Sequence, residues 1–288
     1  MMNRRDFVRN TALGLAAFAA PRASQPTFAN PYNLPIGLQL YTVRDQMAKD
    51  PEGTLKRVAA TGYKEVEVDG TSLSKLAPIL KQAGLTAPGA HFELGLGKTN
   101  WDQEIEFAKA QGLAYIVVPF LAAPDRKNLE GYKEVAELFN KTAEQCQRAG
   151  LQFCYHNHNF EFIKFGGGIG YDVLLKETEP KLVKFELDCF WMTHAGYDPV
   201  EYMHKYPGRF PLLHIKDLKP GIPNSTGFAN PKGNPFTEVG KGVINWKRIF
   251  TAAKEGGLEH FFVEQDQSDI PSLEAMRISY DYLHSLTV

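Results

Sequence analysis

Apolar residues follow two alternating patterns along this chain from Pro35 onward. One pattern has helical spacing and ends at a glycine, and the other is a short run typical of a buried strand. Glycine suits the residue after a helix because it adopts the left-handed conformation without steric cost. The first pattern predicts helices over 72–83, 100–111, Leu129–Ala149 and 245–255, one from Asp50-Pro51 to Gly62, and weaker ones over 171–178 and 199–205.

The second pattern predicts eight strands, near residues 36–41, 64–68, 86–91, 114–119, 151–157, 182–188, 211–216 and 260–265. Helical segments separate these strands, and such alternation favours a parallel sheet. Eight units in roughly 250 residues favour a closed (β/α)8 TIM barrel over an open, doubly wound sheet. No Gly-x-Gly-x-x-Gly opens the first unit, which argues against a dinucleotide-binding fold.

Four of these strands carry ionisable side chains near their C-terminal ends. Side chains alternate between the two faces of a strand. The ionisable residues therefore share one face, and apolar neighbours along the same strand point to the other face. In a barrel, the apolar face packs against the helices, and the C-terminal strand ends open to the mouth where barrel enzymes act. The residues predicted to converge there are His156, Asp188, His214 and Glu264, and those predicted to face the helices are Phe185, Leu187, Leu213, Ile215, Phe261 and Val263.

Two imidazoles and two carboxylates at one point are typical of a divalent metal site. The carboxylates offset the charge of the cation, and N/O ligation without thiolate suits Mn²⁺, Co²⁺, Fe²⁺ or Zn²⁺ alike. We favour Mn²⁺, with Co²⁺, Fe²⁺, Zn²⁺ or Mg²⁺ as alternatives. A metal that holds two neighbouring oxygens of a sugar polarises its carbonyl and eases removal of an adjacent proton. We therefore predict that His156, Asp188, His214 and Glu264 are metal ligands.

Further residues of the same lumen face are candidates for catalysis and substrate binding. Glu264 is the candidate base, Lys216 a group that stabilises an enolate or binds a hydroxyl, and His158 a base, an extra ligand or a substrate contact. We expect Glu186, which lies deeper, to have a buried hydrogen-bonding role. The substrate-binding candidates are His91, Glu67 and Trp191, for which ordinary lumen packing is the alternative.

Charge and cysteine content narrow the class of protein. A formal net charge of −1 and an isoelectric point near 6.7 give no basic face for nucleic acid or an anionic membrane, so a small carbohydrate is the expected partner. Three cysteines without paired spacing indicate buried thiols and exclude a cysteine-rich zinc site. The sequence leaves the oligomeric state open.

The N-terminal segment resembles a twin-arginine export signal. Arg4-Arg5 is followed by Phe7 and a run rich in alanine and glycine, which predicts a signal over residues 1–29 and a periplasmic protein. The barrel domain would then span residues 30–288, and no later segment is apolar for long enough to span a bilayer. A stretch rich in Gly, Pro and Asn, 218–243, is predicted to be a lid or a disordered insertion.

Four short segments together resemble the xylose isomerase-like, or sugar phosphate isomerase/epimerase-like, TIM barrels. They are Gly37-Leu-Gln-Leu-Tyr-Thr-Val-Arg44, Tyr155-His-Asn-His158, Phe185-Glu-Leu-Asp188 and His214-Ile-Lys-Asp217, and the resemblance spans Ile36 to Glu264. It implies a metal held by a Glu, an Asp, a His and a Glu on the fifth to eighth strands. Asp188, His214 and Glu264 match the last three positions.

The fifth-strand position departs from that pattern. His156 stands where the family has a Glu, and Glu161 lies too far along the chain to replace it. The family's isomerases and epimerases use their two metal-bound Glu side chains for proton transfer, and only Glu264 remains here. The change looks more like the inosose dehydratase and keto-sugar lyase branches, in which a base removes a proton alpha to a carbonyl and a leaving group departs.

These observations predict a divalent-metal-dependent sugar isomerase or epimerase that abstracts a proton alpha to a carbonyl. A keto-sugar dehydratase or lyase of the same fold, or a non-catalytic periplasmic carbohydrate-binding protein, is the alternative. A DNA repair barrel of the endonuclease IV type is disfavoured, because it needs a three-metal cluster with more His ligands and Cys189-Phe-Trp191 follows Asp188 here. The lack of an Arg/Lys cluster favours an unphosphorylated sugar.

Overall fold

The computed structural model describes residues 33–93, 101–227 and 233–287. The predicted export signal lies outside these residues, so the signal and the periplasmic location stay predictions. Among the described residues, no helix has the length and apolar character needed to cross a membrane.

Eight parallel strands form a closed barrel, which confirms the predicted TIM barrel. The first strand pairs with both the second and the last, since Gly37 lies opposite Glu65 on one side and Phe262 on the other. The strands are β1 (Gly37–Gln39), β2 (Glu65–Asp69), β3 (Gly89–His91), β4 (Tyr115–Val118), β5 (Gln152–His156), β6 (Val183–Asp188), β7 (Leu212–Ile215) and β8 (His260–Val263).

Helices surround the barrel and connect the strands. Each predicted helix forms within two residues of its expected bounds. Their order is α1 (Arg44–Met47), α2 (Pro51–Thr61), α3 (Leu73–Ala83), α4 (Asp102–Ala110), α5 (Leu129–Ala149), α6 (Gly170–Glu177), α7 (Cys189–His194), α8 (Pro199–Lys205), α9 (Trp246–Gly256) and α10 (Ser272–Ser285).

The glycine after a helix has the predicted conformation. Gly150 follows α5 at φ 82°, and its N–H bonds the carbonyl oxygens of Cys146 and Gln147. Gly84 after α3 and Gly257 after α9 are also left-handed. Each glycine ends its helix and turns the chain towards the next strand, so the helix-to-strand spacing is set locally.

Two apolar cores lie on opposite sides of the barrel wall. The larger core fills the space between strands and helices and contains all six residues predicted to face outward. The smaller one fills the lumen below the C-terminal ends and consists of Tyr115, Val117, Cys154, Leu212 and Phe262. The three cysteines are free and buried, as predicted. Because the lower lumen is packed with apolar side chains, the ionisable residues lie above a closed floor.

Asp217 fixes the start and end of the long stretch that follows β7. One of its carboxylate oxygens accepts hydrogen bonds from Gly240 N, Gly242 N and Trp246 Nε1, and the other accepts from Leu218 N and Ile244 N. Residues Asp217–Leu218 also pair with Phe236–Thr237 in a short antiparallel ladder. The described parts of 218–243 are therefore attached to the barrel beside Lys216, and a lid function stays a prediction.

Candidate metal centre

The C-terminal ends of β5 to β8 bring the predicted ligands together because neighbouring strands are in register. Asp188 on β6 lies opposite His214 on β7, and His156 on β5 lies opposite Glu186 on β6. The side chains of His156, Glu186, Asp188 and His214 point into the lumen, where their exposed fractions are 4% or less. The alternation of side chains between the two faces of each strand thus decides which residues meet at the mouth of the barrel.

Asp188, His214 and Glu264 form one group with metal-ligand spacing. His214 Nδ1 lies 2.9 Å from Glu264 Oε2 and 4.0 Å from Asp188 Oδ2. One imidazole and two carboxylates from adjacent strands can hold a divalent cation on three sides and leave the cavity side open for water or substrate oxygens. These are three of the four predicted ligands.

A second group lies deeper and shares His214 with the first. Its members are His91, His156, Glu186 and His214. Glu186 Oε2 is 3.1 Å from His91 Nε2, 3.0 Å from His156 Nδ1 and 3.2 Å from His214 Nε2. His156 turns its Nδ1 to this carboxylate, while its Nε2 is 3.8 Å from Asp188 Oδ2. The predicted ligand set is therefore divided between two adjoining groups.

Glu67 lies beneath both groups and does not line the cavity, which differs from its expected place as a substrate contact. Its Oε2 accepts a hydrogen bond from Gln39 Nε2 at 2.8 Å and lies 2.7 Å from His214 Nε2 and 2.9 Å from His91 Nε2. The side chain is fully buried. Its position is that of a group that orients two imidazoles from below.

The donor set of the lumen fits a divalent cation. The Nε2 atoms of His91 and His214 each lie within 3.2 Å of both Glu67 Oε2 and Glu186 Oε2. One ring nitrogen donates a single hydrogen, so two of them cannot satisfy four such contacts. In addition, Asp188 Oδ2 in the first group, and Glu67 Oε1 and Glu186 Oε1 in the deeper part of the lumen, are buried without a hydrogen-bond partner. A bound cation would relieve this excess of acceptor oxygens.

Lys216 is surrounded by carboxylates at the top of the lumen. Its Nζ lies 2.6 Å from Glu264 Oε2, 2.9 Å from Asp266 Oδ1 and 3.2 Å from Asp188 Oδ2, and the side chain is 2% exposed. Burial alone would lower the pKa of Lys216, but these carboxylates outweigh it and raise the pKa well above its ordinary value. Lys216 is therefore a fixed ammonium at the cavity floor.

The charge of Lys216 acts in turn on the acids around it. Burial alone would raise the pKa of Glu264, but Lys216 and His214 outweigh it and hold the pKa well below its ordinary range. Burial prevails at Asp188 and raises its pKa to about 6. At neutral pH Glu264 is a carboxylate that can accept a proton or a cation.

The histidines of the lumen divide into charged and neutral ones. Burial would lower the pKa of His91, but Glu67 and Glu186 raise it to about 10. Burial lowers the pKa of His156 to about 3 and that of His158 well below its ordinary value. His156 and His158 are neutral imidazoles, the form that binds a metal or accepts a proton.

A cavity of about 550 Å³ opens above these groups at the mouth of the barrel. His91, His156, His158, Trp191, Lys216 and Glu264 all line it. The ring of His158 packs flat on Phe160 at 5.3 Å between centroids and lies 5.4 Å from Trp191. Apart from Glu67, the predicted catalytic and substrate-binding residues therefore face one cavity.

Glu161 positions His158 and was missed as a site residue. Its Oε2 accepts a hydrogen bond from His158 N at 2.9 Å, and its Oε1 accepts one from the Tyr155 hydroxyl. The side chain is fully buried in a short 3₁₀ turn, Phe160–Phe162. Burial raises the pKa of Glu161 to about 7, although both hydrogen bonds act to lower it.

Replacing Glu161 by Gln is expected to remove one pH dependence of stability. Folding binds a proton at Glu161 between pH 4.5 and about 7, so wild-type stability falls as pH rises through that window. Glu161→Gln lacks this loss, which for a shift of this size amounts to about 3 kcal/mol. Urea unfolding of both proteins across the window measures it. Parallel curves would show that Glu161 does not titrate there.

Of two other residues at the site, Asp266 was missed from the sequence, and Glu186 has its predicted buried hydrogen-bonding role. Asp266 lies beyond β8, where strand parity no longer predicts direction, yet it contacts Lys216. Glu186 was assigned a hydrogen-bonding role, and the structure adds that its Oε2 lies among three imidazoles. Glu186 is two residues from Asp188 on the same strand, so the sequence already indicates that both side chains point into the lumen.

The fold and the site together define a class of protein. A closed (β/α)8 barrel with buried His, Asp and Glu side chains at the C-terminal ends of its strands is the arrangement of a barrel enzyme with a metal-type centre. A model of the xylose isomerase-like TIM barrel matches residues 55–286. The chain belongs to the xylose isomerase-like TIM barrel family, as the resemblance predicted.

Comparisons with individual proteins agree with this assignment. An inosose dehydratase from Geobacillus thermodenitrificans is 26% identical over 248 residues, which cover 76% of this chain and 82% of the relative. A sugar phosphate isomerase/epimerase from Parabacteroides distasonis is similar in structure, with a TM-score of 0.76, 26% identity and coverage of 93% of this chain and 98% of that one.

A third comparison concerns metal binding. The IolI protein, crystallised with a bound zinc atom, has a TM-score of 0.67 and 16% identity, with coverage of 86% of this chain and 96% of that one. At this identity the likeness shows the fold alone. The relatives of this chain are enzymes, and the prediction of an enzyme is confirmed.

Proposed function

We propose that this protein is a divalent-metal-dependent enzyme that removes a proton alpha to the carbonyl of a sugar or cyclitol. Isomerisation, epimerisation and loss of water all begin with this step. The convergence of Asp188, His214 and Glu264 beneath a cavity lined by Lys216 and His158 carries the proposal. The inosose dehydratase relatives and the sugar phosphate isomerase/epimerase neighbour support it.

Asp188, His214 and Glu264 would hold the metal, with the neutral imidazole of His156 as the fourth ligand. When bound, a divalent cation polarises a substrate carbonyl and lowers the cost of removing the adjacent proton. The N/O donor set without thiolate keeps Mn²⁺ as the favoured ion. Glu186 and Glu67 orient the imidazoles from below.

The remaining side chains of the cavity manage protons and charge. Glu264 is a carboxylate because of Lys216 and His214, so it accepts the proton. Lys216, whose Nζ lies 2.6 Å from Glu264 Oε2, would stabilise the substrate oxygen that becomes negative. His158, which follows β5, three strands round the barrel from β8, is neutral and is a second proton acceptor. An epimerase needs such a group on each side of the carbon.

Proton exchange in deuterated water tests the proposal. The protein, loaded with Mn²⁺, is incubated with an inosose and with a 3-keto-glucoside, and NMR follows the loss of the proton alpha to the carbonyl. We expect exchange that stops when the metal is removed by a chelator and returns on reloading. Metal-dependent binding of both sugars without exchange would contradict the proposal and support a non-catalytic carbohydrate-binding protein.

The same samples separate the two reaction types. An epimerase returns the proton, or deuterium, to the same carbon, so exchange occurs with no loss of water. A dehydratase releases water and forms an α,β-unsaturated ketone, which absorbs in the ultraviolet. The replacement of the usual fifth-strand Glu by His156 favours the dehydratase, since only one of the two metal-binding Glu positions is kept. A periplasmic location is part of the proposal and rests on the Arg4-Arg5 signal.

A further inference from the structure

The cavity extends beyond its polar floor to an apolar rim. The floor is formed by the ionisable residues of β5 to β8, while Leu40, Met47 and Leu76 line the opposite wall. Leu40 lies directly after β1, Met47 ends α1, and Leu76 lies in α3. A cavity of about 550 Å³ is in the range that drug-sized ligands fill, which is larger than a single sugar ring.

Tyr41 extends this apolar wall towards solvent. Its side chain is 52% exposed, and among the residues that the structure describes only Val243, at 53%, is a comparably exposed large hydrophobic residue. The Arg44 guanidinium lies 4.0 Å from the centre of the Tyr41 ring and fixes its orientation. A rigid aromatic ring left open beside a cavity is suited to stacking on a planar apolar group.

The charges around the rim disfavour a phosphate. Asp69, Glu93 and Asp266 line the cavity, and Arg44 is the one basic residue of the described rim. Arg44 already donates from Nη1 to Tyr41 O at 2.7 Å and from Nη2 to Asp266 O at 2.6 Å. On the floor, Lys216 is paired with three carboxylates. At the rim, a dianion would therefore meet three carboxylates and one guanidinium that is already hydrogen-bonded.

We infer that the rim formed by Leu40, Tyr41, Met47 and Leu76 is a subsite for an apolar, preferably aromatic, substituent on an uncharged sugar. The substrate class is then a glycoside whose sugar ring lies on the floor and whose aglycone stacks on Tyr41, rather than a sugar phosphate. This inference rests on the proposed function for the placement of the sugar and goes beyond it in naming the substituent.

Calorimetric titration of the Mn²⁺-loaded protein tests the subsite. Phenyl β-D-glucopyranoside, methyl β-D-glucopyranoside and glucose 6-phosphate are the three ligands. We expect the phenyl glucoside to bind at least about tenfold more tightly than the methyl glucoside, since burial of an aromatic ring is worth an order of magnitude in affinity. Glucose 6-phosphate is expected to bind most weakly.

Three variants assign the preference to the rim. Tyr41→Ala is expected to reduce the phenyl-to-methyl ratio to about threefold or less, while Tyr41→Phe keeps the ring and the ratio. Val243→Ala is the matched control, because it removes an equally exposed apolar side chain that lies outside the cavity lining. Tyr41 is exposed, so its removal leaves the core intact.

Two results would overturn the subsite. One is equal affinity for the phenyl and methyl glucosides. The other is that glucose 6-phosphate binds most tightly of the three and that Arg44→Ala weakens its binding. The titration needs no turnover, so its result is separate from proton exchange. Tighter binding of the phenyl glucoside without proton exchange would support the subsite and contradict the proposed reaction. Proton exchange without tighter binding of the phenyl glucoside would support the proposed reaction and contradict the subsite.

Discussion

Glu264→Gln is expected to reduce metal binding and turnover together, each by a large factor. The substitution keeps the size of the side chain but removes the negative charge that faces His214 Nδ1 at 2.9 Å and Lys216 Nζ at 2.6 Å. A neutral amide is a weak ligand for a divalent cation and cannot accept the proton. Lys216 also loses one of the three carboxylates around it, and its ammonium faces a less negative floor.

The expected loss in kcat/KM is about a thousandfold, within the range that a positioned general base contributes. Metal content measured by mass spectrometry should fall from one equivalent to a small fraction. Proton exchange on the keto-sugar and metal content are measured on the same preparation, so that loss of the ion and loss of the base are seen together.

Glu259→Gln is the matched control for this variant. Glu259 immediately precedes β8, at the opposite end of the strand from Glu264, where its carboxylate accepts a hydrogen bond from the Tyr115 hydroxyl. Residues at that end of a barrel contribute to stability rather than chemistry. We expect normal metal content and turnover. Full activity in Glu264→Gln would refute the role of Glu264 as ligand and base.

Asp217→Asn is expected to lower the free energy of unfolding by at least about 3 kcal/mol. Three N–H groups, from Gly240, Gly242 and Trp246, point at Oδ2 of Asp217. An amide can place only one acceptor oxygen in the site, so its NH₂ group would face either these donors or the two on the other side. Leaving buried donors unpaired costs about 1–3 kcal/mol each.

Urea unfolding measures this loss, and Asp50→Asn is its control. Asp50 caps α2 by accepting a hydrogen bond from Gly53 N at 2.9 Å, and Asn caps a helix equally well. We expect the control to unfold within about 0.5 kcal/mol of the wild type. A similarly small change in Asp217→Asn would show that the stretch after β7 does not depend on this carboxylate.

The sequence was sufficient for the barrel because each helix and strand is specified locally. Gly150 after α5 and the Asp50-Pro51 start of α2 can be read without knowledge of distant contacts. Strand parity was also sufficient to place Asp188 and His214 in the lumen, because a strand that packs against helices must turn its apolar side outward.

The arrangement of the candidate metal centre depends on contacts between strands, which the alternation of side chains along one strand does not predict. The register that sets His156 opposite Glu186, and Asp188 opposite His214, follows from how the barrel closes. Glu67 was predicted to contact substrate because its side chain points into the lumen, but its carboxylate is fully buried against His91 and His214. Asp266 and Glu161 lie in turns, where the period of two no longer holds.

Anomalous diffraction from a crystal of the Mn²⁺-loaded protein shows directly which side chains hold the metal. We predict one strong peak within about 2.4 Å of side-chain atoms of Asp188, His214 and Glu264, with the His156 ring turned towards it. The absence of a peak at the mouth of the barrel would contradict the proposed metal site. A peak held by His91 and Glu186, with Asp188 and Glu264 free of metal, would also contradict it.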